Sequence, residues 1–132
     1  MKVTGALLTL LALSACSAER TPTSSEDHRV DVPVNRLSSD EARQRGRALF
    51  QQKCALCHGD NADGNGARSK GLSGKPANFR SPSWRTSVTP EYVYRILNEG
   101  KRGTSMPAWP TLSEDQKWDV VAYVLSVAED RP

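Results

Sequence analysis

The chain has 132 residues, of which 37% are hydrophobic and 25% are charged. This composition is that of an ordinary globular protein, so it excludes a disordered or collagen-like polymer, and the length leaves room for one small domain. The formal net charge of +3 comes from 18 basic and 15 acidic residues, a mixture too even for a nucleic-acid-binding protein.

The first segment, residues 1–15, is predicted to be an export signal. Its apolar run from Val3 to Leu13 is too short to cross a bilayer as a mature helix, and polar sequence follows directly. An apolar N-terminal helix of the fold is the alternative. Residues 13–16, Leu-Ser-Ala-Cys, resemble the lipobox of bacterial lipoproteins. This resemblance implies that Cys16 is lipidated and anchors the protein to the periplasmic side of a bacterial membrane. An ordinary cleavage that leaves Cys16 free, or removes it, remains open.

Residues 16–37 are predicted to be the lipidated N-terminus and a flexible tether. They are rich in Ser, Thr, Pro, Glu and Asp and contain no aromatic residue, so they cannot bury enough apolar surface to offset the entropy of ordering. His28 is expected to be a solvated linker histidine. A domain on such a tether can move between neighbouring proteins.

Residues 38–132 are predicted to form one domain with three main helices and almost no strand. The first helix begins where Ser38 and Glu41 are spaced as a capping box, and it ends near Lys53. Its apolar residues recur at helical spacing on one face, at Ala42, Gly46, Leu49 and Phe50.

The second and third helices have their own start and stop signals. Thr89 and Pro90 are a cap residue and a first-turn proline, and Gly100 ends the second helix. Ser113 and Gln116 form a second capping box at the start of the third helix. The apolar stripe of this helix is Trp118, Val121, Ala122, Leu125 and Ala128.

The segment between the first and second helices, residues 59–88, is rich in glycine and proline and has no helical or strand periodicity. A loop of this length is unusual inside a small domain unless a ligand supplies the core that it lacks. The composition therefore predicts a buried cofactor.

Residues 54–58 form a C-x-x-C-H run, the spacing that attaches haem covalently. Cys54 and Cys57 would bond to the porphyrin edge, and His58 would bind the iron. Two alternatives are weaker. A zinc site needs four ligands, and outside this run only Cys16 and His28 could supply them. A thioredoxin-like redox pair needs a cysteine at a helix N-terminus, whereas this pair ends a helix.

The second axial face of the iron needs another ligand, and Met106 is the candidate. It is the only methionine after the initiator, and it stands before Pro107 in a loop without helical periodicity. A lone methionine is more often core filler, and that interpretation stays open. Ligation by His58 and Met106 would leave no open iron position for a substrate, so the protein is expected to carry electrons and not to be an enzyme.

On these residues the chain resembles the class I c-type cytochromes over residues 38–132. The resemblance rests on the C-x-x-C-H run, on the Met106-Pro107 loop and on Gly46 and Phe50 of the first helix. In that family the glycine lets the terminal helices cross closely, with an aromatic residue of the last helix at the contact, and Tyr123 matches that aromatic.

The resemblance implies an all-α, small cytochrome c fold of about three main helices wrapped around one covalent haem c, with long irregular haem-binding loops. It also implies a proline whose neighbourhood supports the free ring nitrogen of the histidine ligand. Pro76 is the candidate for that role, and a plain turn residue is the alternative. The haem-pocket candidates are Pro76, Phe79 and Pro107.

The function expected from these features is electron transfer by a monomeric carrier between periplasmic or membrane-bound redox enzymes. A subunit stably bound to a dehydrogenase or reductase is the alternative, and an enzyme or gas sensor in which Met106 dissociates is a third hypothesis. From Arg68 to Arg85 the glycine-rich segment carries basic residues and no acidic residue. These basic residues could dock on an acidic partner or could simply be solvated. These basic residues are Arg68, Lys70, Lys75, Arg80 and Arg85.

Overall fold

The computed structural model describes residues 30–127, and within that range the chain forms helices and irregular loops with no strand. Three of the helices correspond to the predicted ones, and the all-α prediction is confirmed. The six helices are α1 (Val34–Leu37), α2 (Asp40–Lys53), α3 (Ala55–His58), α4 (Pro82–Ser87), α5 (Pro90–Glu99) and α6 (Glu114–Ser126). The predicted export signal, Cys16 and His28 lie outside the described residues.

The end of the predicted tether is folded onto the domain. Val32 and Leu37 pack against the apolar core, and Nη1 of Arg36 lies 3.0 Å from Oδ1 of Asp119 on α6. The carboxylate of Asp119 is buried, so the pair joins residues 30–37 to the helical core. The folded unit therefore begins before residue 38, and the sequence analysis missed this because the ion pair joins residues 83 positions apart.

The cap of α2 is Ser39, one residue later than predicted. Its hydroxyl accepts a hydrogen bond from the backbone N–H of Ala42 at 3.3 Å. Ser38 instead ends α1, since its own hydroxyl donates to the carbonyl of Val34. The prediction of Ser38 was wrong because α1 extends to this point and only Ser39 has the extended backbone of an N-cap.

Helices α2 and α6 cross at Gly46. A Cβ atom at this position would collide with the carbonyl of Asp119 and would lie 3.0 Å from Cβ of Tyr123. The rings of Phe50 and Tyr123 are in edge contact beside the crossing, with centroids 5.2 Å apart. This is the close crossing, with an aromatic residue of the last helix, that the resemblance implied.

The predicted caps of α5 and α6 are confirmed. The hydroxyl of Thr89 accepts from the N–H of Tyr92, and Gly100 ends α5 with a left-handed φ of 72°. Ser113 and Gln116 form the reciprocal capping box of α6.

The core lies between α2, α5 and α6. Its most deeply buried large side chains are Phe50, Val121 and Val124. Two irregular segments flank α4 and α5, and we name them the glycine loop, residues 59–81, and the methionine loop, residues 100–112. Each helix between residues 30 and 127 is too short or too polar to span a bilayer.

Candidate functional site

The C-x-x-C-H run forms one tight turn of helix at α3. The backbone N–H of His58 donates to the carbonyl of Cys54 at 2.9 Å, and that of Cys57 donates to the same carbonyl at 3.1 Å. Residues three apart on a helix face the same side, so the turn places both cysteines beside each other. Cys54 is buried and Cys57 is half-buried, whereas Leu56 between them is 53% exposed.

The glycine loop holds this turn through main-chain hydrogen bonds. The N–H of Gly64 donates to the carbonyl of His58 at 2.7 Å, and the N–H of Gly66 donates to that of Cys57 at 3.2 Å. A Cβ atom on Gly66 would clash with the backbone of Leu56 and Cys57, so only glycine permits this approach. The loop therefore fixes the backbone from which the histidine projects.

The imidazole of His58 is buried and is held at one edge. Its Nδ1 lies 3.2 Å from the carbonyl oxygen of Ala77, and because a carbonyl can only accept, Nδ1 carries the proton. Burial lowers the pKa of His58 below its ordinary value, and the hydrogen bond to Ala77 opposes that shift only partly. The ring is therefore neutral at pH 7, with a free lone pair on Nε2 for a metal.

Two of the haem-pocket candidates lie on the segment beside this hydrogen bond. The acceptor for His58 is the carbonyl of Ala77 and not that of Pro76, which instead lies against Gly64. Phe79 is buried, and its ring stacks on the imidazole of His58 with centroids 4.7 Å apart and planes inclined by 24°. The structure thus places the neighbourhood of Pro76, through Ala77, at Nδ1 of His58.

Met106 lies in the methionine loop, and hydrogen bonds of the Met106 main chain stabilise that loop. Its carbonyl accepts from the N–H of Lys101 at 3.0 Å, and its N–H donates to the hydroxyl of Thr104 at 3.2 Å. The side chain is half-buried and packs against the apolar cluster that contains Phe50 and Phe79. Pro107 is exposed on the outside of the loop.

The two loops are joined to each other at Ser73 and Ser105. The N–H of Ser105 donates to the carbonyl of Ser73 at 2.8 Å, and the N–H of Ser73 donates to the hydroxyl of Ser105 at 2.9 Å. The hydroxyl of Ser73 also donates to the carbonyl of Gly103. The glycine loop, which supports His58, is therefore directly bonded to the loop that carries Met106.

Several basic residues lie on these joined loops or next to them. Of the basic residues singled out from the sequence, Arg85 is half-buried and the others are exposed. The sequence analysis missed Lys101 and Arg102, which are exposed on the methionine loop. The signal was available, since no acidic residue lies between Glu99 and Glu114.

The redox-pair alternative for the cysteines loses support. Burial, with a smaller contribution from Cys57, raises the pKa of the Cys54 thiol to about 11. A redox-active pair needs the opposite shift, because the thiolate is the nucleophile. Among residues 30–127 there is also no group of three or more His, Cys, Asp or Glu side chains that could hold a metal ion.

The residues of the site fit a haem. Neutral imidazole and thioether are axial ligands of haem iron, and paired thiols can form thioether bonds to the porphyrin.

Trp109, three residues after Met106, is a further residue that fits a haem. Its Nε1 is buried and has no hydrogen-bond partner among the described residues. The backbone N–H of Trp109 donates to the carbonyl of Leu97, which fixes the residue in place. A buried indole N–H needs an acceptor, and a haem carboxylate is of the right kind.

Comparison with known proteins identifies the family of the chain. Residues 41–124 match the family model described as cytochrome c oxidase, cbb3-type, subunit III. The chain belongs to this family. The matched region contains the C-x-x-C-H run and Met106, and the resemblance to class I c-type cytochromes is confirmed.

Two individual proteins are similar to the chain. The cbb3-type cytochrome c oxidase subunit CcoP of Azospirillum brasilense is 28% identical over 85 residues, which are 64% of this chain and 28% of that protein. A chain of the reducing HAO-like protein complex of Kuenenia stuttgartiensis is 26% identical with a TM-score of 0.56, over 78% of this chain and 49% of that one. The chain thus spans less than half the length of either protein.

Proposed function

We propose that this c-type cytochrome carries electrons through one haem c, which Cys54 and Cys57 attach and which His58 and Met106 ligate. The observation that carries the proposal is the placement of His58, which is buried and bonded at Nδ1 to the carbonyl of Ala77. That bond leaves Nε2 as the free ring nitrogen and fixes the tautomer that a metal requires.

The residues of the site have distinct tasks in this proposal. The haem supplies a one-electron iron couple when it is bound. The hydrogen bond from His58 to Ala77 raises the basicity of the imidazole. The soft sulfur of Met106 favours ferrous iron and so raises the reduction potential. Trp109 offers its unpaired N–H to a carboxylate of the cofactor.

Electron transfer, and not substrate chemistry, follows from this ligand set. Ligation by both His58 and Met106 would leave no iron position for oxygen or another substrate, so the domain would not be an enzyme. Met106 is held by its own loop through Lys101 and Thr104, which opposes the dissociation that a gas sensor would need. Reduced protein that binds carbon monoxide at neutral pH would favour the sensor hypothesis.

The absorption spectrum in both oxidation states tests the proposal. The exported wild-type protein should give the bands of a low-spin c-type haem, with a sulfur-to-iron charge-transfer band in the oxidised state. The Met106→Ala protein should lose that band, show a lower reduction potential and bind carbon monoxide when reduced. Lys101→Gln, an exposed change on the same loop, should leave the band in place. A colourless wild-type protein contradicts the proposal.

The redox partner should present an acidic surface to the joined loops. Lys70, Lys75, Lys101 and Arg102 are exposed on segments that Ser73 and Ser105 bond together. Such a surface would steer association, which salt would weaken by screening. An electron-transfer rate that does not change with ionic strength would contradict this docking mode.

We further propose a periplasmic location with Cys16 as the lipid anchor, so that the carrier stays near membrane-bound redox enzymes. The lipobox-like sequence before Cys16 supports this. Cys16→Ser should move the protein from the membrane fraction to the soluble periplasm.

Both similar proteins are parts of redox complexes by name. Co-purification of this chain with a large enzyme would therefore favour a bound subunit over a mobile carrier.

A further inference from the structure

The hydrogen bond from His58 to Ala77 leaves one rotation of the imidazole unrestrained. A single contact at Nδ1, 3.2 Å long, fixes one edge of the ring but not the direction of the ring plane. The plane can still turn about the axis of that bond. A second contact, on the face of the ring, is needed to hold it.

Phe79 supplies this contact. Its ring lies nearly parallel to the imidazole of His58, with centroids 4.7 Å apart and planes 24° from parallel. Phe79 is two residues after Ala77, so one short segment provides both the hydrogen bond to the edge and the ring against the face. Rotation of the imidazole would press it into the phenyl ring.

Phe79 is itself fixed on its other sides. The ring of Trp84 on α4 packs edge-on against it at 4.7 Å, and that of Phe50 on α2 does so at 6.0 Å. Its backbone N–H donates to the carbonyl of Ala62 at 2.9 Å, and the residue is 9% exposed. A ring with neighbours on several sides and an anchored backbone can resist movement of the imidazole.

We propose that Phe79 is a positioning residue that sets the plane of the iron-binding imidazole of His58. This inference rests on the proposed role of His58 as an axial ligand. In low-spin ferric haem the orientation of the axial ligand plane determines the splitting of the iron d orbitals, which electron paramagnetic resonance measures. The same clamp keeps Nδ1 of His58 aligned with the carbonyl of Ala77, and so keeps the imidazole basic.

The test uses the exported, haem-loaded protein with Phe79→Leu, Phe79→Met and Phe79→Tyr. The first two variants remove the ring, and the methionine variant keeps most of the buried volume. Tyr94→Met is the matched control, because Tyr94 is a half-buried aromatic stacked on Trp118, with centroids 4.2 Å apart. Ferric resonance spectra and reduction potentials are recorded for each.

We expect Phe79→Leu and Phe79→Met to shift and broaden the low-field resonance and to raise the reduction potential, as the hydrogen bond to Ala77 loosens. Phe79→Tyr should retain the wild-type spectrum, and so should Tyr94→Met even if its stability falls. A wild-type spectrum from Phe79→Met would overturn the inference, and so would an equal change in Tyr94→Met. If the wild-type protein itself lacks a His/Met haem spectrum, the proposed function fails instead.

Discussion

The α2–α6 helix pair and the two loops that flank α4 and α5 are stabilised in different ways. The helix pair buries large apolar side chains, with Phe50 and Val121 almost fully enclosed, and its backbones touch at Gly46. The glycine and methionine loops are joined by hydrogen bonds, such as that from the N–H of Ser105 to the carbonyl of Ser73. The helix pair thus has its own core, to which the loops add fewer buried apolar side chains, such as Phe79.

This difference shows which part of the domain depends on a cofactor. Burial of apolar surface is the main favourable term in folding, and the helix pair provides it from the chain alone. Main-chain hydrogen bonds contribute only about 1 kcal/mol each in net stability. A porphyrin enclosed by the loops would add apolar contacts to the few that they make themselves, so its removal should affect the loops more than the helices.

Loss of both thioether sites should have the largest effect. In the protein with Cys54→Ser and Cys57→Ser, no haem stain should remain in a denaturing gel, because no covalent bond holds the cofactor. Amide hydrogen exchange should rise more in the glycine and methionine loops than in α2 and α6. Cys16→Ser is the control and should keep the stain. Equal loss of protection in loops and helices would remove the distinction between the two regions.

Gly46→Ala tests the helix pair directly. The added methyl group would meet the carbonyl of Asp119, so the helices must separate, and we expect a loss of about 3 kcal/mol in the free energy of unfolding. Urea unfolding of the haem-loaded protein measures it. Gln52→Ala, an exposed change on the same helix, should stay within about 0.5 kcal/mol of wild type. A stable Gly46→Ala protein would show that the crossing can relax.

Asp119→Asn should have a smaller effect, centred on the docking of α1. The Asp119 side chain is 5% exposed and pairs with Arg36 at 3.0 Å and with Arg45 at 2.8 Å. We expect a loss of about 2 kcal/mol, with faster proteolysis before Ser39. Asp115→Asn is the matched control, since Asp115 also pairs with Arg36 but its side chain is 74% exposed. Equal effects of the two changes would contradict a special role for the buried carboxylate.

Local sequence predicted the three main helices well, because their start and stop signals lie within a few residues of each other. The caps at Thr89 and Ser113 are of this kind. The ion pair of Arg36 with Asp119 could not be predicted in this way, because no local sequence pattern reveals a partner 83 positions away. Local sequence therefore did not predict that residues 30–37 pack against the helical core.

The candidate site shows the same limit. The expected neighbourhood of Pro76 lies at His58, but which carbonyl accepts the hydrogen bond depends on the path of the loop, and the structure gives Ala77. The stacking of Phe79 on His58 and the unpaired N–H of Trp109 are likewise tertiary features. The sequence could suggest Phe79 as a pocket residue, but it could not predict that its ring stacks on the imidazole of His58.

The enclosure of the C-x-x-C-H turn has a consequence for biogenesis. Cys54 is 9% exposed, and the segment through Gly66 lies directly over the backbone of the turn. A thiol in that position is out of reach of a reactant or an enzyme arriving from solvent. In the proposed attachment, the bond to Cys54 would therefore form while the chain is still open, before this segment closes over the turn.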